Sequence, residues 1–186
     1  MKRLLDLFLG SMAAVVLLVP LMVVAVLVRL TSPGPVLNWS DRVGQYNKIF
    51  KMPKFRTMRL GTPVVATHLL PNPKAHLTPI GAFLRKSSLD ELPQLWSILV
   101  GDMSFVGPRP ALFNQHDLIE LRTQKDVHTL VPGLTGWAQV NGRDELSISQ
   151  KVELDVEYLR FQGFWFDIKI LWLTFLKVVR RDGVSH

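Results

Sequence analysis

The sequence predicts an α+β protein that is mostly helical, with an apolar membrane helix at its N-terminus and little β structure. An apolar run of 18 residues, 11–28, contains no charged residue. Several later segments repeat apolar residues at helical spacing, and turns rich in Pro and Gly separate them. The chain has 186 residues, 48% of them hydrophobic, which is enough for one compact domain beside the N-terminal helix.

The first element is the apolar run, and its interpretation depends on Pro20. A cleaved signal peptide is disfavoured because the run is too long and no cleavage site precedes a polar segment. A membrane-spanning helix fits the length. Proline removes a backbone donor and kinks a helix, so the helix can instead enter one leaflet and return. Basic residues flank both ends, which favours the cytoplasm for the following chain. Hydropathy alone favours the kinked spanning helix.

The elements that follow are predicted from turn residues and from periodicity. Residues 36–58 read as short extended pieces with a hairpin turn at 42–44, and 60–78 as a loop. Further helices are predicted over residues 79–86, 88–100, 111–125, 146–161 and 164–181, with a short strand within 131–140. The last helix carries two tryptophans on an apolar stripe. That stripe suits the membrane interface and a contact with the core equally well.

Asp90 and Glu91 form the first candidate site. Ser88 and Glu91 match a capping box, and Pro93 requires that the helix begin close to Asp90. Acidic residues in a first turn are most often caps and dipole partners. A helix N-terminus also attracts phosphate. A carboxylate there can act as a nucleophile, and its neighbour can bind a metal or assist proton transfer.

Basic residues form two more candidate sites. Arg109 lies between two prolines, which hold its guanidinium group ready for phosphate oxygens. The alternative is a rigid surface turn with a solvated arginine. Lys54 and Arg56 would share one face of a strand, either as a phosphate clamp or as a solvated face. A stretch rich in glycine, 132–143, permits close backbone approach.

The order of these motifs resembles one family. The matching stretches are Ser32-Pro33-Gly34-Pro35-Val36, Arg42-Val43-Gly44, Lys54-Phe55-Arg56-Thr57-Met58, Leu77-Thr78-Pro79-Ile80-Gly81, Leu84-Arg85-Lys86, Ser88-Leu89-Asp90-Glu91-Leu92-Pro93-Gln94-Leu95, Gly101-Asp102-Met103-Ser104-Phe105-Val106-Gly107-Pro108-Arg109-Pro110 and residues 132–143. They cover nearly the whole chain. The sequence resembles the bacterial sugar transferases, the small monotopic phosphoglycosyl transferases that begin glycan assembly on polyprenyl phosphate.

The resemblance implies a re-entrant, proline-kinked helix over residues 1–30 and a cytoplasmic catalytic domain over 31–186 with amphipathic interfacial helices. It implies that Asp90 attacks the sugar-proximal phosphorus of a UDP-sugar, with Glu91 as its partner and Mg²⁺ bound by both acids. UMP leaves, and polyprenyl phosphate then takes the phosphosugar. Arg109 would hold phosphate. The lesser phosphate contacts would be Lys54, Arg56, Arg85 and Arg143. Asp155 and Asp167 fall at acidic positions of the family.

The resemblance also sets the expected location and partners. The enzyme would lie on the cytoplasmic face of the bacterial inner membrane, with a UDP-sugar, polyprenyl phosphate and membrane lipid as partners. The resemblance leaves open whether the protein forms a homodimer. The net charge of +7 suits phosphorylated substrates and anionic lipid. Nucleic acid is not expected, because aromatics interleaved with a basic stripe are missing. The rival interpretations are a tethered anion-binding scaffold and a magnesium-dependent diphosphate hydrolase.

The chain contains no cysteine. This excludes disulfides, thiolate metal sites and cysteine catalysis. The sequence leaves the sugar and the glycan pathway unassigned.

Overall fold

The computed structural model describes residues 2–63, 72–142 and 145–180. Its helices are α1 (Lys2–Val16), α2 (Leu18–Thr31), α3 (Gly81–Lys86), α4 (Leu95–Val100), α5 (His116–Gln124), α6 (Trp137–Val140), α7 (Ile148–Phe161) and α8 (Phe164–Arg180). Its strands are β1 (Leu37–Val43), β2 (Ile49–Phe55), β3 (Ser104–Val106) and β4 (Gly133–Thr135). The mostly helical α+β class is confirmed. The predicted division at residue 30 stays a prediction.

The N-terminal apolar run is two helices that meet at an angle of 61°. The first ends at Val16, four residues before Pro20. Proline has no N–H to donate to the carbonyl of that residue, and its ring crowds the same carbonyl, so the helix breaks there. No helix in the described part of the chain is long and apolar enough to cross a membrane alone, although α1 and α2 together reach that length.

Both ends of this bent pair are attached to the rest of the domain. Near the start, Lys2 Nζ lies 2.6 Å from Asp167 Oδ2 of α8. Asp6 accepts hydrogen bonds of 3.0 Å from Ser104 Oγ and from the Phe105 backbone N–H. At the other end, the buried Arg56 donates to the carbonyl of Ser32 at 2.9 Å. The two helix ends therefore lie against one body of protein.

Two small sheets lie within the helical body. Strands β1 and β2 form an antiparallel hairpin in which Leu37 pairs with Phe55 and Val43 with Ile49. The hairpin is confirmed, but its turn lies over residues 44–48 and not at the predicted 42–44, because Arg42 and Val43 still pair with β2. Strands β3 and β4 pair in parallel. At this second sheet, a Cβ added to Gly133 would lie 2.1 Å from the backbone nitrogen of Gly107. The close backbone approach expected of the glycine-rich stretch is therefore present.

The helix containing Asp90 and Glu91 packs across the hairpin. It is a 3-10 helix, Leu89–Gln94, that continues into α4 and lies against β2. Gly101 ends α4 with a φ of 104°, as a glycine C-cap should. Beneath it, the buried cluster of Val24, Val28, Phe55 and Leu84 joins α2 to β2 and α3. The bent helix pair and the candidate site therefore share one core.

The last helix turns much of its aromatic surface outward. Trp165 is 80% exposed and Trp172 59% exposed. The core contacts of α8 come instead from Phe166, Ile170 and Leu173. The interpretation of the tryptophan stripe as a core-facing surface is therefore wrong.

Candidate active site

The two adjacent acids lie at the beginning of the 3-10 helix, but they do not cap it. Ser88 adopts a left-handed conformation with φ 56°, and its side chain makes no capping bond. The side chain of Glu91 bonds to residues of two other elements instead. The predicted capping box is therefore wrong, because the Glu91 carboxylate forms ion pairs with distant residues and does not bond to the backbone N–H of Ser88.

Glu91 is held by two cations. Its Oε1 atom accepts hydrogen bonds of 2.8 Å from Lys54 Nζ and 2.8 Å from Arg109 Nη2. The side chain of Glu91 is only 14% exposed, that of Lys54 17% and that of Arg109 34%. Burial by itself raises the pKa of Glu91, but the charges and hydrogen bonds of Lys54 and Arg109 outweigh it and hold that pKa well below the ordinary value. Glu91 is therefore ionised at neutral pH and holds both cations in place.

Asp90 has a different environment. It is 8% exposed, and within the described ranges no group donates a hydrogen bond to its carboxylate. Burial raises the pKa of Asp90, and the charge of Lys54 opposes this rise without cancelling it. Two neighbouring carboxyl groups thus have pKa values shifted in opposite directions, a pattern typical of sites that divide chemical roles between two acids.

Two further arginines complete a basic cluster around these acids, made of Arg42, Lys54, Arg85 and Arg109. Arg85 donates from Nε to Thr57 Oγ1 at 3.0 Å. Its pKa is lowered by burial, an effect that the charge of Asp90 opposes.

Arg42 is the member that the sequence analysis missed as a site residue. Burial and the charge of Arg109 lower its pKa to about 10, although Glu91 opposes this. The signal that could have found it is the stretch Arg42-Val43-Gly44, which matches the family, although only the folding of the hairpin brings β1 beside residue 109. Four cations facing two carboxylates leave a surplus of positive charge, which suits a diphosphate.

One predicted phosphate contact, Arg56, does not join this cluster. Arg56 is buried, and its guanidinium group donates to the carbonyl oxygens of Ser32 and Pro33 and to Ser32 Oγ. Lys54 bonds to Glu91 and Arg56 bonds to the end of α2, so the two cations of this motif do not form one phosphate clamp. Arg143 lies outside the described residues, and its predicted role stays a prediction.

The acids have the chemistry of a magnesium site. The described residues contain no group of three or more His, Cys, Asp or Glu side chains that could hold a metal ion. Magnesium needs fewer, because one or two carboxylates together with substrate phosphates suffice. The Glu91 Oε2 atom and both Asp90 oxygens accept no hydrogen bond from the described part of the chain. These oxygens fit a hard cation, while Glu91 Oε1 is committed to Lys54 and Arg109.

Comparison with known proteins places these features in context. A family model described as bacterial sugar transferase matches residues 1–181. The uncharacterized sugar transferase EpsL of Bacillus subtilis is 42% identical over 192 residues, covering 100% of this chain and 91% of EpsL.

Two longer relatives carry names that state an activity. The UDP-glucose:undecaprenyl-phosphate glucose-1-phosphate transferase of Escherichia coli is 41% identical over 95% of this chain. The UDP-galactose-lipid carrier transferase of Erwinia amylovora is 35% identical over 98% of it. The chain spans only 40% and 41% of the lengths of these two proteins.

Proposed function

This chain belongs to the bacterial sugar transferase family, and on that premise we propose that it transfers a sugar-1-phosphate from a UDP-sugar to undecaprenyl phosphate. The observation that carries the proposal is the buried Asp90 beside the clamped Glu91, with four cations around them. The Asp90 carboxylate accepts no hydrogen bond from the described part of the chain, which makes it a better nucleophile than a carboxylate that already accepts such bonds. The surrounding cations lower the repulsion between that anion and a negatively charged diphosphate.

The proposed reaction has two displacements at one phosphorus atom. An Asp90 carboxylate oxygen attacks the sugar-proximal phosphorus of the donor, and the phosphorus–oxygen bond to UMP breaks. The sugar phosphate is then esterified to Asp90. An oxygen of the lipid phosphate attacks the same phosphorus, the bond to Asp90 breaks, and polyprenyl diphosphate-sugar leaves. The carboxylate is regenerated, and no water is consumed.

The basic cluster would stabilise the charge that develops in both steps. Arg109 presents a planar fork to phosphate oxygens, and its contact with Glu91 sets the direction of that fork. Lys54 is a compact charge on the other side of the same carboxylate. Asp90 and Glu91 would hold Mg²⁺ through the oxygens named above, and the ion would neutralise diphosphate charge when bound.

We also propose that α1 and α2 form a re-entrant helix and that the domain lies on the cytoplasmic face of the inner membrane. Four observations support the re-entrant arrangement at a membrane surface. The helix pair bends by 61°. Both of its ends contact the same domain, through Lys2 and through the Arg56–Ser32 bond. Apolar side chains are exposed along the pair, with Val15 at 77% and Val19 at 63%. The exposed tryptophans of α8 suit the headgroup region.

The test is release of UMP from a panel of UDP-sugars by the purified protein in lipid nanodiscs. The variables are undecaprenyl phosphate, magnesium or a chelator, and the variants Asp90→Asn and Asp41→Asn. Asp41 is the control because it is an acid in an exposed ion pair with Lys51. We expect sustained release only with lipid phosphate and magnesium, none with Asp90→Asn, and normal release with Asp41→Asn. Sustained release without lipid phosphate would indicate a hydrolase.

The covalent intermediate has its own test. Wild-type protein mixed with donor in the absence of lipid phosphate should gain the mass of one sugar phosphate in intact mass spectrometry. The Asp90→Asn variant should gain nothing. An active enzyme that never acquires this mass would contradict the two-step path while leaving the overall transfer in place.

A further inference from the structure

The loop that carries Arg109 is held through its carbonyl groups. The residues from 108 to 111 include two prolines, which have no N–H, so the loop has few donors of its own. Each of these four carbonyl oxygens accepts one hydrogen bond from another part of the chain. Gly133 N donates to the carbonyl of residue 108 at 2.9 Å, and Arg122 Nη1 donates to that of residue 109 at 2.8 Å. Arg42 Nη1 donates to the carbonyl of residue 110 at 3.2 Å, and Val43 N donates to that of residue 111 at 3.0 Å.

The donor to the Arg109 carbonyl is itself fixed by a buried acid. Arg122, on α5, donates from Nε and Nη2 to Asp155 Oδ2 of α7 at 3.0 and 2.7 Å. The Arg122 side chain is 12% exposed and the Asp155 side chain 1% exposed. The pair therefore uses the guanidinium fork on one side and leaves Nη1 directed at the backbone of residue 109.

These contacts form one continuous path to the candidate active site. Asp155 holds Arg122, Arg122 holds the carbonyl of Arg109, and the side chain of Arg109 bonds to Glu91. We propose that Arg122, oriented by Asp155, is a positioning residue that sets the Arg109 guanidinium group against Glu91. The proposed mechanism does not use either residue, and neither of them contacts Asp90.

The geometry requires an arginine at position 122. Its three nitrogens serve two acceptors on opposite edges of one rigid plane. A lysine has a single nitrogen, so it can retain the ion pair with Asp155 but cannot also hold the Arg109 carbonyl in the same geometry. Arg122→Lys therefore keeps the buried charge compensated, which protects folding, and removes mainly the positioning bond.

The first test is a double-mutant cycle on UMP release, and it rests on the proposed function. Arg122→Lys should lower kcat about tenfold, or ~1.4 kcal/mol in activation free energy. In an Arg109→Lys background, the same change should cost less than about twofold, because the group being positioned is gone. Equal fold losses in the two backgrounds would overturn the inference, since a merely structural role would act independently of Arg109.

The second test needs no substrate. Arginine Nε–Hε signals are recorded by nitrogen-15 NMR of the full chain in detergent micelles. The Arg109 signal should shift and broaden in Arg122→Lys and in Asp155→Asn, and stay unchanged in the control Asp41→Asn. An unchanged Arg109 signal in either folded variant would overturn the inference. If the wild type releases no UMP from any donor, the proposed function fails, and this comparison still decides the positioning role.

Discussion

Glu91 offers the sharpest test of the electrostatic argument, through the substitution Glu91→Gln. Glutamine has nearly the same shape and keeps an oxygen that can accept from Lys54 and Arg109. Lys54 and Arg109 keep their charges, so the substitution removes the counter-charge of two largely buried cations, and removing one partner of a buried ion pair costs about 3–5 kcal/mol. Because glutamine retains an acceptor and Arg109 is 34% exposed, the substitution should lower the free energy of unfolding by roughly 2–3 kcal/mol.

The assay is thermal unfolding followed by tryptophan fluorescence in a mild detergent, since the chain has five tryptophans. For a domain of this size, the loss corresponds to a fall in Tm of about 4–12 °C at pH 7. Asp41→Asn is the matched control, because its ion pair with Lys51 has side chains 42% and 66% exposed. Exposed pairs contribute about 0–1 kcal/mol, so this variant should unfold close to the wild type.

The pH dependence supplies a second readout for the same residue. The pKa of Glu91 in the folded protein lies well below 4.5. A depressed carboxyl pKa contributes stability that is present above the unfolded pKa and lost as the pH falls through the folded pKa. The difference in stability between wild type and Glu91→Gln should thus be constant above about pH 5.5 and shrink below pH 4.5. A loss at pH 7 no larger than that of Asp41→Asn would refute the reasoning.

Burial raises the pKa of Asp90, so the stability that this carboxyl contributes is present at low pH and is lost as the pH rises through that pKa. Asp90→Asn should therefore raise Tm at pH 7 while abolishing transfer. A lower Tm would contradict this. Arg109→Lys should lower kcat/KM about tenfold or more, because a point charge replaces a fork; steady-state kinetics near the wild type would remove Arg109 from the phosphate site. Pro20→Ala should restore the backbone hydrogen bond to Val16 and straighten the helix pair toward a spanning helix. The location of the N-terminus is measured by labelling a cysteine added there. Labelling that stays on the cytoplasmic side would contradict the role of Pro20 in the kink.

Much of the fold was readable from local patterns. Pro20 set the break in the N-terminal helix because a missing donor and a ring clash act within one turn, at Val16. Gly101 marked the end of α4 for an equally local reason, its left-handed φ. The hairpin was likewise predicted from its residues, although its turn lies over residues 44–48 and not at 42–44. Such features depend on residues a few positions apart, and the surrounding protein rarely changes them.

The candidate site shows where local patterns stop being sufficient. Ser88 and Glu91 have capping-box spacing, but Glu91 bonds to Lys54, which is 37 positions away. Lys54 and Arg56 share a motif, but Arg56 bonds to the end of α2. The stripe of tryptophans on α8 left two interpretations open, because periodicity identifies an apolar side without saying what covers it.

The sequence by itself determined the family, the proline break and the acids and arginines that are candidates for the chemistry, because residue type and order carry that information. Only the tertiary structure decided which cations meet which acids. Glu91 is clamped, and Asp90 accepts no hydrogen bond from the described residues, because β2, the 3-10 helix and the loop at Arg109 converge from separate parts of the chain. Burial and charge at that convergence shift the two pKa values in opposite directions, and spacing along a chain cannot encode distances between elements that only folding brings together.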